Sequence, residues 1–283
     1  MLDATEAACL DAFPAIRTHR EAWVGRYLVT GATGGMGVVL CRQLASAGHD
    51  LVMVGRRPAV MEALIADLKS CGQGSHSALE VDMADRGSVA RFAAALAGSD
   101  IALDGAVIMP PQPARTADPM PAPEAWDALF DGSFLGPLGV LKAAIGKMSP
   151  RPAAGVRAKV VIVSGISSVQ VLSHYATANV LRTAWLAQAK TLAFALGPQG
   201  IHVNTVSFGG TLTPHYLSLL QGRADAAGVA LDELLAQDTE NVPLRKYGSA
   251  EEAARTIAML LSEVSDHMTG LNLLQDGGFT RAY

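Results

Sequence analysis

The stretch TGATGGMG, residues Thr30 to Gly37, connects a predicted strand, RYLVTG, to a predicted helix, GMGVVLCRQLASAG. Its glycines Gly31, Gly35 and Gly37 follow the spacing T-G-x-x-x-G-x-G. Glycines at these places let the backbone turn tightly and approach a pyrophosphate, which then lies on the free N–H groups at the start of the helix. A tight turn that binds nothing carries similar glycines, but the place between a strand and a helix favours a dinucleotide site.

Outward from this stretch, apolar strand-like runs alternate with helical stretches as far as the last run, LNLLQ. Strands that are apolar on both faces indicate a parallel sheet covered by helices on both sides. Right-handed crossovers then give a doubly wound sheet. The predicted fold class is α/β: one Rossmann-like domain over residues 25–283, preceded by an N-terminal helical extension over residues 1–24.

Composition excludes several other classes of protein. A chain of 283 residues with 50% hydrophobic content can bury a large core, and a net charge of −4 without basic runs argues against nucleic-acid binding. No long uncharged apolar stretch predicts a membrane span, and the acidic N-terminus does not resemble a signal peptide. The cysteines Cys9, Cys41 and Cys71 are widely spaced and the histidines scattered. We therefore expect a cytoplasmic protein without disulfides or a metal site.

Two segments interrupt the regular alternation. PPQPARTADPMPAP, residues 110–123, contains six prolines in fourteen residues and predicts a stiff loop. Residues 211–240 predict a helical insertion. Both follow the carboxyl ends of strands, where open α/β sheets bind ligands. Surface decoration is one interpretation; we favour walls or lids of a substrate site.

The end of the second predicted strand, VMVGRRP, indicates which dinucleotide binds. NAD sites usually have an acidic residue here for the ribose 2′-hydroxyl, whereas this chain has Arg56 and Arg57. Two arginines can neutralise a 2′-phosphate, so NADP(H) is favoured over NAD(H), although both can instead be solvated loop charges. Asp82, after the third strand, is suited to accept from the adenine amino group. The candidate cofactor residues in this half of the chain are Gly31, Thr33, Gly35, Met36, Gly37, Arg56, Arg57 and Asp82.

Together with IHVNTVSFGGTLT, NVPLRKYGSAEEAA and MTGLNLLQDGG, these motifs resemble the short-chain dehydrogenase/reductase (SDR) superfamily over roughly residues 25–280. The resemblance implies that Thr213 lies beside the nicotinamide, and Phe208 replaces the family's usual proline. It also implies a homo-oligomer, a tetramer or a dimer, assembled through two long helices near residues 124–147 and 174–197.

Typical members of this superfamily use an Asn-Ser-Tyr-Lys tetrad, and the resemblance gives its positions here. Counting back 22 residues from Asn204 in GIHVN puts Arg182 at the lysine position. The tyrosine, serine and asparagine positions are then Ala178, Gly165 and Ser133. The segment IMPP replaces the fourth-strand Asn-Asn-Ala-Gly. Every member of the standard tetrad is therefore replaced.

Tyr175 and Arg182 suggest another arrangement. Their Tyr-x6-Arg spacing resembles the Tyr-x6-Lys of the enoyl-acyl-carrier reductases, a branch of the superfamily. Seven residues are about two helical turns, so both side chains project from one face, which Asn179 joins. The resemblance implies that Tyr175 hydrogen-bonds a substrate oxygen and that Arg182 binds the ribose. Ser167, in SGISS, is a spare hydroxyl that can face the substrate or cap a loop.

The predicted function is an NADP(H)-dependent oxidoreductase that reduces a conjugated alkene or a carbonyl of a small-molecule or acyl-carrier-bound substrate. Its candidate catalytic residues are Tyr175, Arg182 and Ser167, although Tyr175 can instead pack at a subunit interface. His174 and His215 flank the presumed cleft and can be acid–base groups or merely exposed. Because the tetrad is replaced, the alternative is an SDR-fold protein that binds NADP(H) without redox chemistry, as a non-redox enzyme or an interaction subunit. A structural protein without nucleotide is disfavoured by TGATGGMG.

Overall fold

The computed structural model describes residues 24–151, 153 and 155–281; the predicted N-terminal extension, apart from Val24, and Cys9 lie outside these residues. The described chain forms a seven-stranded sheet of order β3-β2-β1-β4-β5-β6-β9. All neighbouring strands in it are parallel. The strands are β1 (Arg26–Thr30), β2 (Asp50–Gly55), β3 (His76–Glu80), β4 (Gly105–Ile108), β5 (Ala158–Gly165), β6 (Ile201–Phe208) and β9 (Asn272–Gln275). The predicted doubly wound parallel sheet is confirmed.

Helices cover both faces of the sheet. The helices are α1 (Gly35–Ser46), α2 (Pro58–Leu68), α3 (Arg86–Ala97), α4 (Pro123–Phe130), α5 (Gly136–Ile145), α6 (Ala176–Leu196), α7 (Pro214–Ala227), α8 (Leu231–Asp238) and α9 (Ala250–Leu261). Side chains of α3, α5 and α6 pack with Leu28 of β1 in one buried cluster. Side chains of α1, α2 and α9 pack with the next residue, Val29, in the other. Successive strand residues point to opposite faces, which is why the strands are apolar throughout.

The run between Pro123 and Ile145, predicted as one helix near 124–147, is α4 and α5 joined by a π-helical turn, Asp131–Leu135. The indole Nε1 of Trp185 donates a 2.9 Å hydrogen bond to the Ser133 carbonyl within this turn. By length and composition the run is apolar enough to cross a membrane. Of its most apolar window a third is buried, including Val140 and Leu141 of α5, which pack fully buried against the sheet.

Residues 211–240 contain α7 and α8, which have a small hydrophobic cluster of their own around Leu220, Ala224 and Leu234. Just before α7, Thr211–Leu212 (β7) pairs in parallel with Gly248–Ser249 (β8). The Thr213 hydroxyl caps α7 by accepting from the Tyr216 N–H at 3.3 Å. The start of the segment is therefore tied to the body of the domain, after the carboxyl end of β6.

Candidate active site

A cavity of about 270 Å³ opens at the carboxyl ends of β1, β4 and β5. The glycine stretch forms one wall, and Met109 to Pro113 after β4 form another. The α6 residues Leu181, Arg182 and Trp185 contribute a third, and Ser133, Ser164 and Thr213 complete the lining. This is the edge at which open α/β sheets bind their ligands.

The glycine stretch makes a tight turn into α1. Gly31 has a φ of +64°, a conformation that residues with a side chain rarely adopt, and its carbonyl accepts from the Gly34 N–H at 2.9 Å. A Cβ atom at Gly37 would lie 2.1 Å from that same carbonyl oxygen. No side chain caps α1, and its first turn contains no acidic residue. The N–H groups at the start of α1 therefore remain available to an anion.

Gly35 connects the glycine stretch to the segment after β6. A Cβ atom there would lie 2.8 Å from the Pro214 ring and 2.9 Å from Thr213 Cβ, so only glycine allows this approach. Thr213 consequently lines the same cavity as Gly35 and Met36. The contact brings residues that are far apart in the sequence together at one cavity.

Of the two arginines after β2, the structure directs Arg57 towards the glycine stretch. Its Nη2 donates to Thr33 Oγ1 at 3.1 Å, whereas Arg56 makes no hydrogen bond or ion pair within the described chain. Both side chains are exposed, as a 2′-phosphate site requires. Asp82 lies two residues beyond β3, where its Oδ1 accepts from the Ala84 N–H at 3.0 Å.

A hydrogen bond between the ends of two neighbouring strands holds the segment IMPP, residues 108–111. The N–H of Met109 donates to Thr30 Oγ1 at 2.7 Å, which joins the ends of β4 and β1. The Met109 side chain packs on Gly31, where a Cβ atom would meet it at 3.2 Å. The prolines that follow line the cavity and present no N–H donor to it.

Arg182 fills the space beside Gly165. Its Nη1 donates to Ser167 Oγ at 2.9 Å, and a Cβ atom at Gly165 would lie only 2.5 Å from that nitrogen. Burial lowers the pKa of the Arg182 guanidinium, which nevertheless remains charged because arginine does not lose its proton in proteins. Positions 165 and 182 are therefore coupled: glycine at 165 makes room for the Arg182 guanidinium.

Two guanidinium groups lie close to the Tyr175 ring. The Arg182 Cζ atom is 5.5 Å from the centroid of the Tyr175 ring, and the Arg115 Cζ atom is 5.1 Å from it. The helix predicted over 174–197 begins at Ala176, so Tyr175 immediately precedes it. Arg115 belongs to the proline-rich loop and is not among the residues that the sequence predicts. The only sequence signal for Arg115 is the general expectation that this loop forms a wall of the substrate site.

The remaining polar residues of the region mainly hold the backbone. Asn179 exchanges two hydrogen bonds with the backbone of Leu172, at 3.1 and 3.3 Å, and so fixes the loop before α6. Ser167 is 2% exposed and positions Arg182, while Ser168 Oγ lies 2.9 Å from Ser207 Oγ. Ser164 lines the cavity, and its buried hydroxyl has no partner within the described chain.

A second cavity, of about 470 Å³, lies at the opposite edge of the sheet, beside Tyr27 and His49. Its lining contains three basic residues, of which the buried Lys159 is 2.6 Å from Asp266 and also donates to Ser265 Oγ at 2.9 Å. Burial lowers the pKa of His49, which accepts from the Gly25 N–H through Nδ1. Because Lys159 is already neutralised and this is the amino edge of a parallel sheet, the smaller cavity is the better candidate active site.

A doubly wound sheet with a glycine turn at the start of its first helix defines a dinucleotide-binding α/β protein. The sequence model of the family described as "Enoyl-(Acyl carrier protein) reductase" matches residues 31–280. The chain belongs to the short-chain dehydrogenase/reductase superfamily, an oxidoreductase superfamily. The resemblance found from the sequence motifs is therefore confirmed.

Three similar proteins illustrate this membership. Dehydrogenase/reductase SDR family member 4 from Homo sapiens is 28% identical over 254 residues, which are 89% of this chain and 86% of that protein. L-sorbose reductase from Gluconobacter frateurii, solved with NADPH and L-sorbose, is 21% identical, with a TM-score of 0.83 over 92% of this chain and 98% of that one. An NADPH-bound short chain oxidoreductase from Pseudomonas aeruginosa PAO1 containing an atypical catalytic center is 23% identical, with a TM-score of 0.79 over 92% and 98%.

Proposed function

We propose that this protein is an NADP(H)-dependent oxidoreductase that reduces a conjugated alkene or a carbonyl. The observation that carries the proposal is the Arg182 guanidinium, held by Ser167 at 2.9 Å and facing Tyr175 at the wall of the cavity that the glycine stretch borders. A charged donor beside a phenol, next to a dinucleotide turn, suits a reaction that develops negative charge on a substrate oxygen. Related structures solved with NADPH support the choice of cofactor.

The residues around the cavity fit NADP(H). The free N–H groups after Gly34 suit the pyrophosphate, and the close approach allowed by Gly35 and Gly37 leaves room for it. Arg57, with Arg56, would hold the 2′-phosphate. The residues we assign to the other parts of the cofactor are Asp82 for the adenine, Arg182 for the ribose, and Thr213, with Met36, for the nicotinamide side. When bound, the cofactor supplies hydride to the β-carbon of an alkene or to a carbonyl carbon.

The protein's own contribution is to stabilise the oxygen that becomes negative. Tyr175 donates its O–H to this oxygen, and Arg182 supplies a fixed positive charge, with each such donor typically contributing about 2.7–4 kcal/mol. Arginine cannot pass on a proton as lysine can. Alkene reduction through an enolate needs no immediate proton on oxygen, since the α-carbon can take one later from solvent. The arrangement therefore favours alkene over carbonyl reduction.

The test of this proposal is NADPH consumption with a panel of enones and ketones. We expect the wild type to turn over at least one enone and Tyr175→Phe to reduce kcat by about 10²–10³-fold, the usual loss when an oxyanion donor is removed. Tyr27→Phe is the matched control, because Tyr27 is buried at the opposite edge of the sheet. Equal rates in wild type and Tyr175→Phe would contradict the role given to Tyr175.

Replacement of every tetrad residue favours a second candidate, a protein that binds NADP(H) and performs no redox step. The positions concerned hold Ser133, Gly165, Ala178 and Arg182. This candidate predicts NADPH binding with no consumption across the whole panel. A wild type that binds NADPH but oxidises none of it would therefore put the non-redox function first.

Arg57→Ala is expected to weaken NADPH binding by about 10- to 100-fold, because a hydrogen bond to a charged group contributes about 1.5–3 kcal/mol. NADH lacks the 2′-phosphate, so its dissociation constant is expected to stay the same. A fluorescence titration with both cofactors measures the two effects, and Arg56→Ala shows the share of the second arginine. The control is Arg42→Ala, an exposed arginine paired with Asp67 at 2.8 Å on the outer side of α1. Equal weakening of NADPH and NADH would count against a 2′-phosphate site at Arg57.

The oligomeric state and the cellular location of the protein are further proposals. Exposed apolar side chains along the helical run 123–145 and α6 support an oligomer built through these helices, a tetramer or a dimer; they are Leu135, Val180 and Phe194. We also propose that the protein is cytoplasmic and that its substrate is a small molecule or is bound to an acyl carrier.

A further inference from the structure

We propose that Arg115 recognises a carboxylate on the substrate and thereby sets its specificity. This inference rests on the proposed function, because it assigns the substrate to the cavity beside Tyr175 and Arg182. The substrate class is an oxo-acid or an enone that carries a carboxylate a few carbon atoms from the reacting oxygen. Arg115 acts on binding and orientation, and the hydride and proton steps stay as described above.

The backbone around Arg115 is fixed although it belongs to a loop. Pro113, two residues before it, lines the cavity. The carbonyl of Thr116, the next residue, accepts from the Ala176 N–H at 3.0 Å, and Thr116 pairs with Tyr175 in a parallel bridge. The loop is thus joined to the start of α6 immediately beside Arg115.

The side chain of Arg115 lies against two tyrosines. Its Cζ atom lies 5.1 Å from the ring centroid of Tyr175 and 5.9 Å from that of Tyr216, which belongs to α7. The guanidinium has five N–H donors, and the hydroxyls of these two tyrosines can engage only part of them. The remaining N–H groups can bind a carboxylate, for which the planar guanidinium is suited. Arg115, which belongs to the proline-rich loop, therefore contacts both the residue before α6 and the helical insertion. Part of its guanidinium can still bind a ligand.

The charged side chains around Tyr175 favour the binding of an anion. No carboxylate of the described chain lies within ion-pair distance of Arg115 or Arg182. The acidic side chain of the same loop, Asp118, is turned to its own backbone, where Oδ1 accepts from the Met120 N–H at 2.9 Å. Two guanidinium groups thus flank Tyr175 without a counter-ion from the described residues, and an incoming carboxylate would supply one.

We assign different roles to Arg182 and Arg115 because their surroundings differ. Arg182 is committed to Ser167 and lies against Gly165, inside the cavity. Arg115 is exposed, lies 5.1 Å from the Tyr175 ring centroid and is not among the residues that line the cavity. A substrate held at both places would have its reacting oxygen near Tyr175 and Arg182 and its carboxylate at Arg115. A single guanidinium fork matches one carboxylate, which is why we choose this anion.

The probes that test the inference are (E)-4-oxopent-2-enoate and its methyl ester, which share one enone and differ in charge. Calorimetry measures their binding to the protein saturated with NADP⁺, and NADPH consumption gives kcat/KM for each. We expect the acid to bind the wild type at least about tenfold more tightly than the ester, the usual scale of one charge-assisted contact. In Arg115→Gln this acid-to-ester ratio is expected to fall by about the same factor, through KM rather than kcat. The control Arg42→Gln should keep the wild-type ratio.

The outcomes separate this inference from the proposed function. Equal binding of acid and ester, binding of neither, or a ratio that Arg115→Gln leaves unchanged would each overturn the carboxylate site. Turnover of the ester alongside such a result would leave the oxidoreductase proposal standing. Conversely, Arg115-dependent binding of the acid without any NADPH consumption would support the carboxylate site and contradict the redox function.

Discussion

Gly165→Ser is expected to lower kcat/KM by about 100-fold or more, although the sequence resemblance implies a serine at this position in typical members. A Cβ atom at position 165 would lie 2.5 Å from Arg182 Nη1 and 2.8 Å from its Cζ. The guanidinium must then leave its place beside Ser167, and the site loses its charged donor. NADPH consumption with the best substrate of the panel measures the loss, and thermal unfolding reports whether the fold is retained.

Two further variants make this result specific. Gly197→Ser, after the end of α6, is the matched control because a Cβ atom there meets no other atom within 4 Å. The double variant Gly165→Ser with Arg182→Lys is expected to recover part of the lost rate, since the slimmer lysine leaves room for the serine. Wild-type activity in Gly165→Ser alone would contradict the coupling of the two positions.

Gly37→Ala is expected to abolish measurable NADPH binding, with a loss of about 100-fold or more in affinity, and to destabilise the fold by about 1–3 kcal/mol. The added methyl group would lie 2.1 Å from the Gly31 carbonyl oxygen and 2.9 Å from the Ala32 Cα atom. Both contacts are to backbone, so no side-chain rotation relieves them. The turn must open, and the N–H groups at the start of α1 lose their alignment towards the pyrophosphate.

Urea unfolding and an NADPH titration on the same preparation separate the two effects of this substitution. Gly98→Ala serves as the control, since the nearest atom to a Cβ there is 3.5 Å away, at the end of α3. A folded Gly37→Ala protein with an unchanged NADPH dissociation constant would show that the glycine turn is not the pyrophosphate site.

The fold was predictable because its signals are local. The glycine spacing between Thr30 and Gly37 and the doubly apolar strands each depend on neighbouring residues, and parallel strands have few alternative arrangements. The contact between Tyr175 and Arg182 was predictable for the same reason, since helical periodicity relates residues seven apart. Tyr175 immediately precedes the helix instead of lying in it, and its ring centroid is nevertheless 5.5 Å from Arg182 Cζ.

The parts of the site that the sequence did not predict depend on contacts between distant segments. Arg115 meets Tyr175 only because the proline-rich loop pairs with the start of α6. The serines of SGISS could not be told apart because strand alternation ends at Gly165, where a 3₁₀ turn, Ile166–Ser168, begins. That turn directs Ser167 to Arg182, while Ser164 lines the cavity.

The preference between the two arginines after β2 also required the structure. Arg56 and Arg57 are adjacent and equally basic, and nothing in their pattern separates them. Only the approach of Arg57 to Thr33, at 3.1 Å, connects one of them to the glycine stretch. Likewise, only the structure explains the glycine at position 165, because the Arg182 guanidinium occupies the space where its side chain would be.

A crystal structure of the protein with NADPH tests the central claim most directly. We predict the pyrophosphate on the N–H groups at the start of α1, the 2′-phosphate within hydrogen-bond distance of Arg57, and the nicotinamide ring in the cavity beside Thr213 and Arg182. NADPH absent from this cavity at saturating concentration, or bound with its nicotinamide away from Arg182, would contradict the account.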